Sequence, residues 1–133
     1  MLNKIKKHKI IVLIFLVLFI AMAVYISCIF NNTLRAYNII KQNYSTFNYP
    51  NTIEVHSGTI KSSGDIELFI CRVSAENAYG QRKYDYFIAD NESMFSLDSF
   101  EDSGITMPQS TYDEADSKNI SVLLINFLID KDW

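Results

Sequence analysis

The chain has 133 residues and a net charge of −3, from twelve Lys and Arg against fifteen Asp and Glu. Four of the lysines lie in the first nine residues, so the part of the chain from Asn31 onward carries eight Lys and Arg against fifteen Asp and Glu, a net charge of −7. An acidic domain repels the phosphate backbone, which excludes nucleic acid as a partner.

The first element is an apolar segment from Ile10 to Phe30, which has no charged residue, no Pro and no Gly. As a helix its twenty-one residues span about 32 Å, close to the ~30 Å hydrocarbon core of a bilayer. Four lysines precede the segment, whereas only Arg35 and Lys41 follow it closely. This bias predicts a single crossing of the cell membrane, with a cytoplasmic tail at 1–9, a lipid-contacting signal anchor at 10–30 and an extracytoplasmic domain at 31–133.

Three outcomes of processing compete for this segment. We favour an uncleaved signal anchor, because the apolar run exceeds the roughly 7–15 residues of a cleavable signal peptide. Cleavage near Ala23 would use the small residues of Ala21-Met22-Ala23 but would leave an apolar new terminus. Val24 to Cys28 resembles a bacterial lipobox, which would make Cys28 a site of lipidation, although Tyr25 departs from that pattern. The alternative for Cys28 is a thiol on the membrane-facing surface of the helix.

Apolar residues continue at helical spacing after the membrane segment, with no Pro or Gly before Pro50. This periodicity predicts a juxtamembrane helix over 33–47 that continues from, or stacks above, the membrane helix. The soft point is expected at Asn31-Asn32, because asparagine competes for backbone hydrogen bonds and prefers helix caps.

Three segments then alternate in the manner of β-strands, over 52–60, 66–75 and 82–89. A bulge is expected at Gly58 in the first. The second is apolar on both faces, which indicates a central position in the sheet. A short loop containing Gly80 joins the second and third strands, so they are predicted to form an antiparallel hairpin.

The stretch from Tyr84 to Ser117 has no basic residue and nine acids, and it is predicted to be an acidic loop region with a short strand or turn over 94–100. A capping box formed by Thr111 and Glu114 predicts a closing helix over 112–130. The apolar residues of that helix nearly encircle it. A partner or the juxtamembrane helix is therefore expected to cover what the sheet does not.

The sequence offers little for catalysis. His56 stands alone in the domain, and Cys71 lies in the middle of a predicted strand, so no nucleophile and base can be paired. Asp98, Glu101 and Asp102 could gather a weak divalent cation, but a hydrated acidic face is the better interpretation. We therefore predict no enzyme activity, no cofactor and no metal site.

Val73 to Gly80, with Phe87-Ile88-Ala89 after it, is similar to a hairpin in small exported or membrane-anchored bacterial proteins of unknown function. In that uncharacterised family a strand enters an Ala-Lys-Asn-x-Phe-Gly-Gly-like corner, which Glu76 and Gln81 alter in this chain. The resemblance marks Asn77, Tyr79 and Gly80 as a candidate binding loop. The alternative is that Asn77 and Gly80 adopt special backbone angles while Tyr79 packs.

Taken together, these patterns predict an α+β fold: a transmembrane helix, a juxtamembrane helix, an antiparallel sheet of three or four strands and a C-terminal helix. The favoured function is a binding or accessory domain that acts on a membrane, cell-wall or exported protein partner. The alternative is an immunity-type or inhibitor protein whose acidic region meets a basic partner. An enzyme is the third and least supported hypothesis.

Overall fold

The structure is a computed structural model that describes the backbone of residues 2–132, and the side chains of these residues except 2, 63 and 130–132. It has the α+β architecture that the sequence predicts. Its helices and strands follow in the order α1 (Leu2–Gln42), β1 (Glu54–Ser63), β2 (Ile66–Glu76), β3 (Arg82–Ala89), β4 (Met94–Ser96), α2 (Leu97–Asp102), α3 (Gln109–Ala115) and α4 (Val122–Asp132).

The predicted membrane and juxtamembrane helices are one continuous helix, α1. Asn31-Asn32 does not interrupt it, since both residues lie within the helix. Thr33 donates its hydroxyl to the Ile29 carbonyl at 2.8 Å, and Arg35 donates to the Asn32 side chain at 3.3 Å. Among the described residues, α1 is the helix that is long and apolar enough to cross a membrane.

The helix α1 ends at Gln42, five residues before the predicted end at Phe47. Asn43 stops it, because the buried Asn43 amide donates to the carbonyls of Ile39 and Asp90, both at 2.8 Å. Because the Asn43 side chain binds both the last turn of α1 and the residue that follows β3, it fixes the direction in which the chain leaves the helix. Two short 3₁₀ turns, Tyr44–Thr46 and Pro50–Thr52, then lead into β1.

The four strands form one antiparallel sheet in the order β1-β2-β3-β4. The sequence predicts β2 and β3 almost to the residue, but β1 is shifted, since Thr52 belongs to a 3₁₀ turn and the strand extends to Ser63. The register shift lies between Val55 and Ser57, so the bulge is not at Gly58 as predicted. Gly64 instead makes the tight β1–β2 turn, with a φ of +61° that favours glycine.

The hydrophobic core lies on the face of the sheet that α1 crosses. Ala36, Ile39 and Ile40 of α1 are fully buried there, in one hydrophobic cluster with Phe69 and Val73 of β2. The opposite face is covered only in part, because α3 is a single short helix of seven residues. Leu68 of β2 is half-buried and Ile66 is exposed on this second face.

The predicted closing helix over 112–130 is wrong, because the structure divides it into α3 and α4 with a break at 116–121. The break arises from a long-range contact. The Ser117 carbonyl accepts a hydrogen bond from the Gly58 amide at 2.7 Å, and Lys118 forms a parallel bridge with the same glycine. The predicted capping box is wrong as well, since α3 starts after Pro108 and Thr111 lies inside it.

The outer edge of β1 is closed by a side chain of α4. Asn126 accepts a hydrogen bond from the Val55 amide at 2.8 Å and donates to the Val55 carbonyl at 3.0 Å, in the way that a neighbouring strand would. Both backbone groups are partly buried, so leaving them without partners would cost free energy.

Replacing Asn126 by alanine is therefore expected to lower the free energy of unfolding by about 1–3 kcal/mol, since both hydrogen bonds to Val55 are lost. Urea unfolding followed by circular dichroism measures the change. Asn38→Ala, at an exposed position on α1, is the matched control and should shift stability by no more than about 0.5 kcal/mol. Equal effects of the two substitutions would contradict the assigned role of Asn126.

Candidate functional site

The predicted binding loop is the corner between β2 and β3. The Asn77 side-chain oxygen accepts hydrogen bonds from the amides of Tyr79 and Gln81, both at 3.0 Å, and Gly80 has a φ of +75°. Asn77 holds the corner through its side chain and not through a left-handed backbone, since no described non-glycine residue has a positive φ. Tyr79 does not pack, because 88% of its surface is exposed. The corner thus presents one aromatic side chain on a fixed turn.

The predicted acidic loop region is folded into β4, α2 and α3, and its nine acids do not form one surface. Glu114 pairs with Lys61 beside β1. Asp90 accepts hydrogen bonds from the Glu92 and Ser93 amides at 2.8 and 2.7 Å, and these bonds lower the pKa of its carboxyl. Such local bonds stabilise the turn between β3 and β4, where a carboxylate caps free backbone amides.

Four of the other seven acids lie near one another beside β3, in an acidic cluster that we define as Asp85, Asp98, Glu101 and Asp102. Asp85 raises the pKa of the Asp98 carboxyl, with smaller contributions from partial burial and from Glu101 and Asp102. A carboxyl whose pKa is raised by other carboxylates lies in a negative potential that neighbouring cations do not cancel. The acidic cluster is therefore a surface of concentrated negative charge.

Aromatic side chains border the acidic cluster and fix its position. Tyr112 of α3 donates its hydroxyl to Glu101 of α2 at 2.8 Å, and its ring meets that of Tyr86 edge to face with centroids 5.2 Å apart. Phe95 of β4 and Phe100 of α2 form a second edge-to-face pair at 6.1 Å. Carboxylates beside partly exposed aromatic rings suit the recognition of a basic protein surface.

The acidic cluster lacks the geometry of a metal site. Among the described residues, no three His, Cys, Asp or Glu side chains converge as metal ligands. The divalent-cation interpretation of Asp98, Glu101 and Asp102 therefore finds no preformed ligand set in this part of the chain.

His56 lies in a polar contact between the first three strands. Its Nε2 is 2.7 Å from the Ser74 hydroxyl, which also accepts a hydrogen bond from Arg82 at 2.9 Å. Ser74 is fully buried, so a substrate could not reach its oxygen. Arg72 of β2 lies over the Tyr84 ring at 5.1 Å, and the Tyr84 ring in turn contacts the His56 ring. These contacts connect the side chains of β1, β2 and β3.

Burial, followed by the charge of Arg72, lowers the pKa of His56 below its ordinary value of 6.5. The unfolded state then takes up a proton that the folded state resists, so stability should fall as the pH drops below about 6.5. His56→Gln keeps a polar partner for Ser74 and should flatten this part of the pH dependence. Urea unfolding between about pH 7.5 and about pH 5.5 tests it. An unchanged slope in the variant would contradict the assignment.

The two cysteines are in different environments, and both are free. Cys71 is fully buried on β2, and burial raises the pKa of its thiol far above the ordinary value, so it is not an available nucleophile. Cys28 is exposed on α1, near the end of the apolar segment. This position fits either a thiol that faces lipid or the predicted lipidation, which would require cleavage of the helix before it.

No protein-family model matches the chain, and neither a curated protein nor a solved structure matches it. The likeness of the β2–β3 corner to small exported bacterial proteins therefore stays a prediction. The basis for a function is the continuity of α1 and the acidic cluster beside β3.

Proposed function

We propose that the chain is a single-pass protein of the cell membrane, with its N-terminus in the cytoplasm and a small binding or accessory domain outside. The observation that carries this proposal is the continuity of α1. Its lower part, over 10–26, is exposed and apolar, whereas Ala36, Tyr37 and Ile40 of the same helix belong to the core of the domain. An exposed apolar surface of this length is stable only when lipid or another protein covers it.

The continuity of α1 also limits how the domain moves. A helix that enters the core without a break holds the domain at a fixed height and angle, unlike a flexible linker. The partner is accordingly a membrane protein, a cell-wall component or an exported protein that comes close to the outer face of the membrane. The four lysines of the tail set the orientation by the positive-inside rule.

Intact mass spectrometry of the protein purified from its native membrane tests the anchor. We expect the mass of the full chain, with α1 retained. A mass that begins at Val24 would show cleavage after Ala23, and a chain that begins at a lipid-modified Cys28 would show the lipobox to be real. A second experiment tests the orientation: Tyr79→Cys, at an exposed corner, should react with a membrane-impermeant maleimide added to intact cells. Protection of this cysteine would contradict the proposed topology.

The acidic cluster favours a second candidate function, an immunity-type or inhibitor protein that binds a basic partner. The specific observation is that Ser96 joins Asp85 to the first turn of α2: its hydroxyl donates to Asp85 at 2.8 Å and accepts from the Asp98 amide at 3.2 Å. Complementary charge would speed association and make binding sensitive to salt.

A crosslinking pulldown of the intact protein from its membrane separates the two functions. The test variant carries Asp98→Asn, Glu101→Gln and Asp102→Asn in the acidic cluster. The matched control removes the same charge from exposed positions elsewhere, with Asp65→Asn, Glu92→Gln and Asp113→Asn.

An inhibitor should lose its partner in the test variant and at high salt, and keep it in the control. A partner retained by both variants would favour the accessory function through another surface, such as Tyr79. A partner lost equally from both would show a dependence on net charge alone and would contradict a specific role for the acidic cluster.

A further inference from the structure

The contacts of α1 set the orientation of the sheet relative to the membrane helix. Near its N-terminal end in the domain, Arg35 pairs with Glu67 at 2.7 Å and donates to Ser62 at 2.9 Å, both beside the β1–β2 turn. Eight residues later, Asn43 meets the Asp90 carbonyl at the end of β3. The helix therefore crosses the sheet from β1 towards β3, and the outer edge of β1 faces back towards the apolar part of α1.

The helix α4 lies beyond that outer edge. Asn126 of α4 binds both backbone groups of Val55 that point away from β2, and α4 packs against α1 as well as β1. Burial along α1 begins at Ile29, which is half-buried, and Thr33, which is fully buried, and both precede Arg35. The helix α4 thus lies on the side of the domain that faces the apolar run, and Thr33, the first fully buried residue of α1, is only about 5 Å beyond Phe30, where that run ends.

The outer face of α4 is apolar and exposed. Leu123 exposes 81% of its surface, Phe127 57% and Leu124 39%, whereas Ile125 and Ile129 on the opposite face are fully buried. Leu123, Leu124 and Phe127 lie within about 100° of one another around the helix, so they form one continuous strip. Lys118, just before α4, is also exposed and adds positive charge at the same edge of the domain.

We infer that α4 lies in the membrane interface and inserts Leu123 and Leu124 into the outer leaflet. This inference rests on the proposed single crossing, since the bilayer surface is then continuous with the end of the apolar run of α1. A helix about 10 Å across at this edge of the domain, where the burial of α1 begins about 5 Å beyond the apolar run, brings its outer face to the headgroup region. The domain is then held at two points, and the acidic cluster, at the opposite edge of the sheet, is directed away from the lipid.

Tryptophan quenching in vesicles tests the insertion, with the full chain reconstituted in phosphatidylcholine and phosphatidylglycerol. Trp133→Phe removes the only tryptophan of the chain, and single reporters are then placed at Leu123→Trp, at Phe19→Trp within the apolar segment and at Phe95→Trp on β4. The strand β4 lies three strand spacings, about 14 Å, beyond β1.

We expect Leu123→Trp to emit at a shorter wavelength than Phe95→Trp and to be quenched most by lipids brominated near the headgroup. Phe19→Trp should be quenched most by lipids brominated deep in the acyl chains. A second reporter, Leu124→Trp, should behave as Leu123→Trp does, which guards against a local disturbance by one substitution.

The reporters distinguish failure of the inference from failure of the anchor. A blue-shifted but unquenched Leu123→Trp would show that protein, such as a second copy of the chain, covers α4 and would overturn the inference. Water-like emission from Leu123→Trp with normal quenching of Phe19→Trp would overturn it too while leaving the anchor intact. An unquenched Phe19→Trp would overturn the single crossing itself.

Discussion

Replacing Ile40 by alanine is expected to lower the free energy of unfolding by about 2–5 kcal/mol. Ile40 is fully buried where α1 crosses the sheet, so the substitution removes apolar contacts and leaves a cavity in the core. A loss of this size is a large share of the roughly 5–15 kcal/mol that stabilises a typical domain. The measurement is chemical unfolding of the full protein in a mild detergent, followed by circular dichroism.

The same experiment tests whether the anchor and the domain are one structural unit. Asn38→Ala is the matched control, because it lies on the same helix at an exposed position and should change stability by no more than about 0.5 kcal/mol. If Ile40→Ala were as mild as the control, the upper part of α1 would not be integral to the core. The proposal of a rigidly held domain would then fail.

Local sequence patterns predict β2, β3 and the helical conformation of α1, though not its bounds, because the forces that shape them are local or periodic. Alternation in 66–75 and 82–89 places one set of side chains in the core, and a slip of one residue would expose that set. The split of the final helix could not be predicted in the same way. The split depends on the hydrogen bond between the Gly58 amide and the Ser117 carbonyl, and these two residues are far apart in the sequence.

The candidate site was predicted only in outline, for a related reason. A count of acids between Tyr84 and Ser117 identifies an acidic segment but not how the fold distributes it. In the structure Glu114 pairs with Lys61, and Asp90 accepts hydrogen bonds within a turn. Asp85 of β3 and Asp98 of α2 lie close enough for their charges to interact. Charge on a folded surface depends on tertiary neighbours, which the order of residues along the chain does not give.

Gly58 is the second position where a small change should have a large effect. A Cβ added there would overlap the Phe69 ring and lie 2.9 Å from the Ile70 carbonyl oxygen and 3.0 Å from the Cys71 Cβ. This close approach of β2 explains why residue 58 is a glycine. An isolated glycine inside a strand is typical of a site where another part of the chain comes close. Gly58→Ala is expected to cost about 1–3 kcal/mol through overpacking.

A double-mutant cycle separates this crowding from a general intolerance of substitution in β1. Phe69→Leu shortens the side chain nearest to the added methyl group, so Gly58→Ala should cost less in that background than in the native protein. Gly104→Ala serves as the control, because nothing lies within 4 Å of the added Cβ and its cost should come only from the φ of +85°. That cost should not change with Phe69→Leu. Strict additivity of Gly58→Ala and Phe69→Leu would show that the two sites do not crowd each other and would overturn the assigned close approach of β1 to β2.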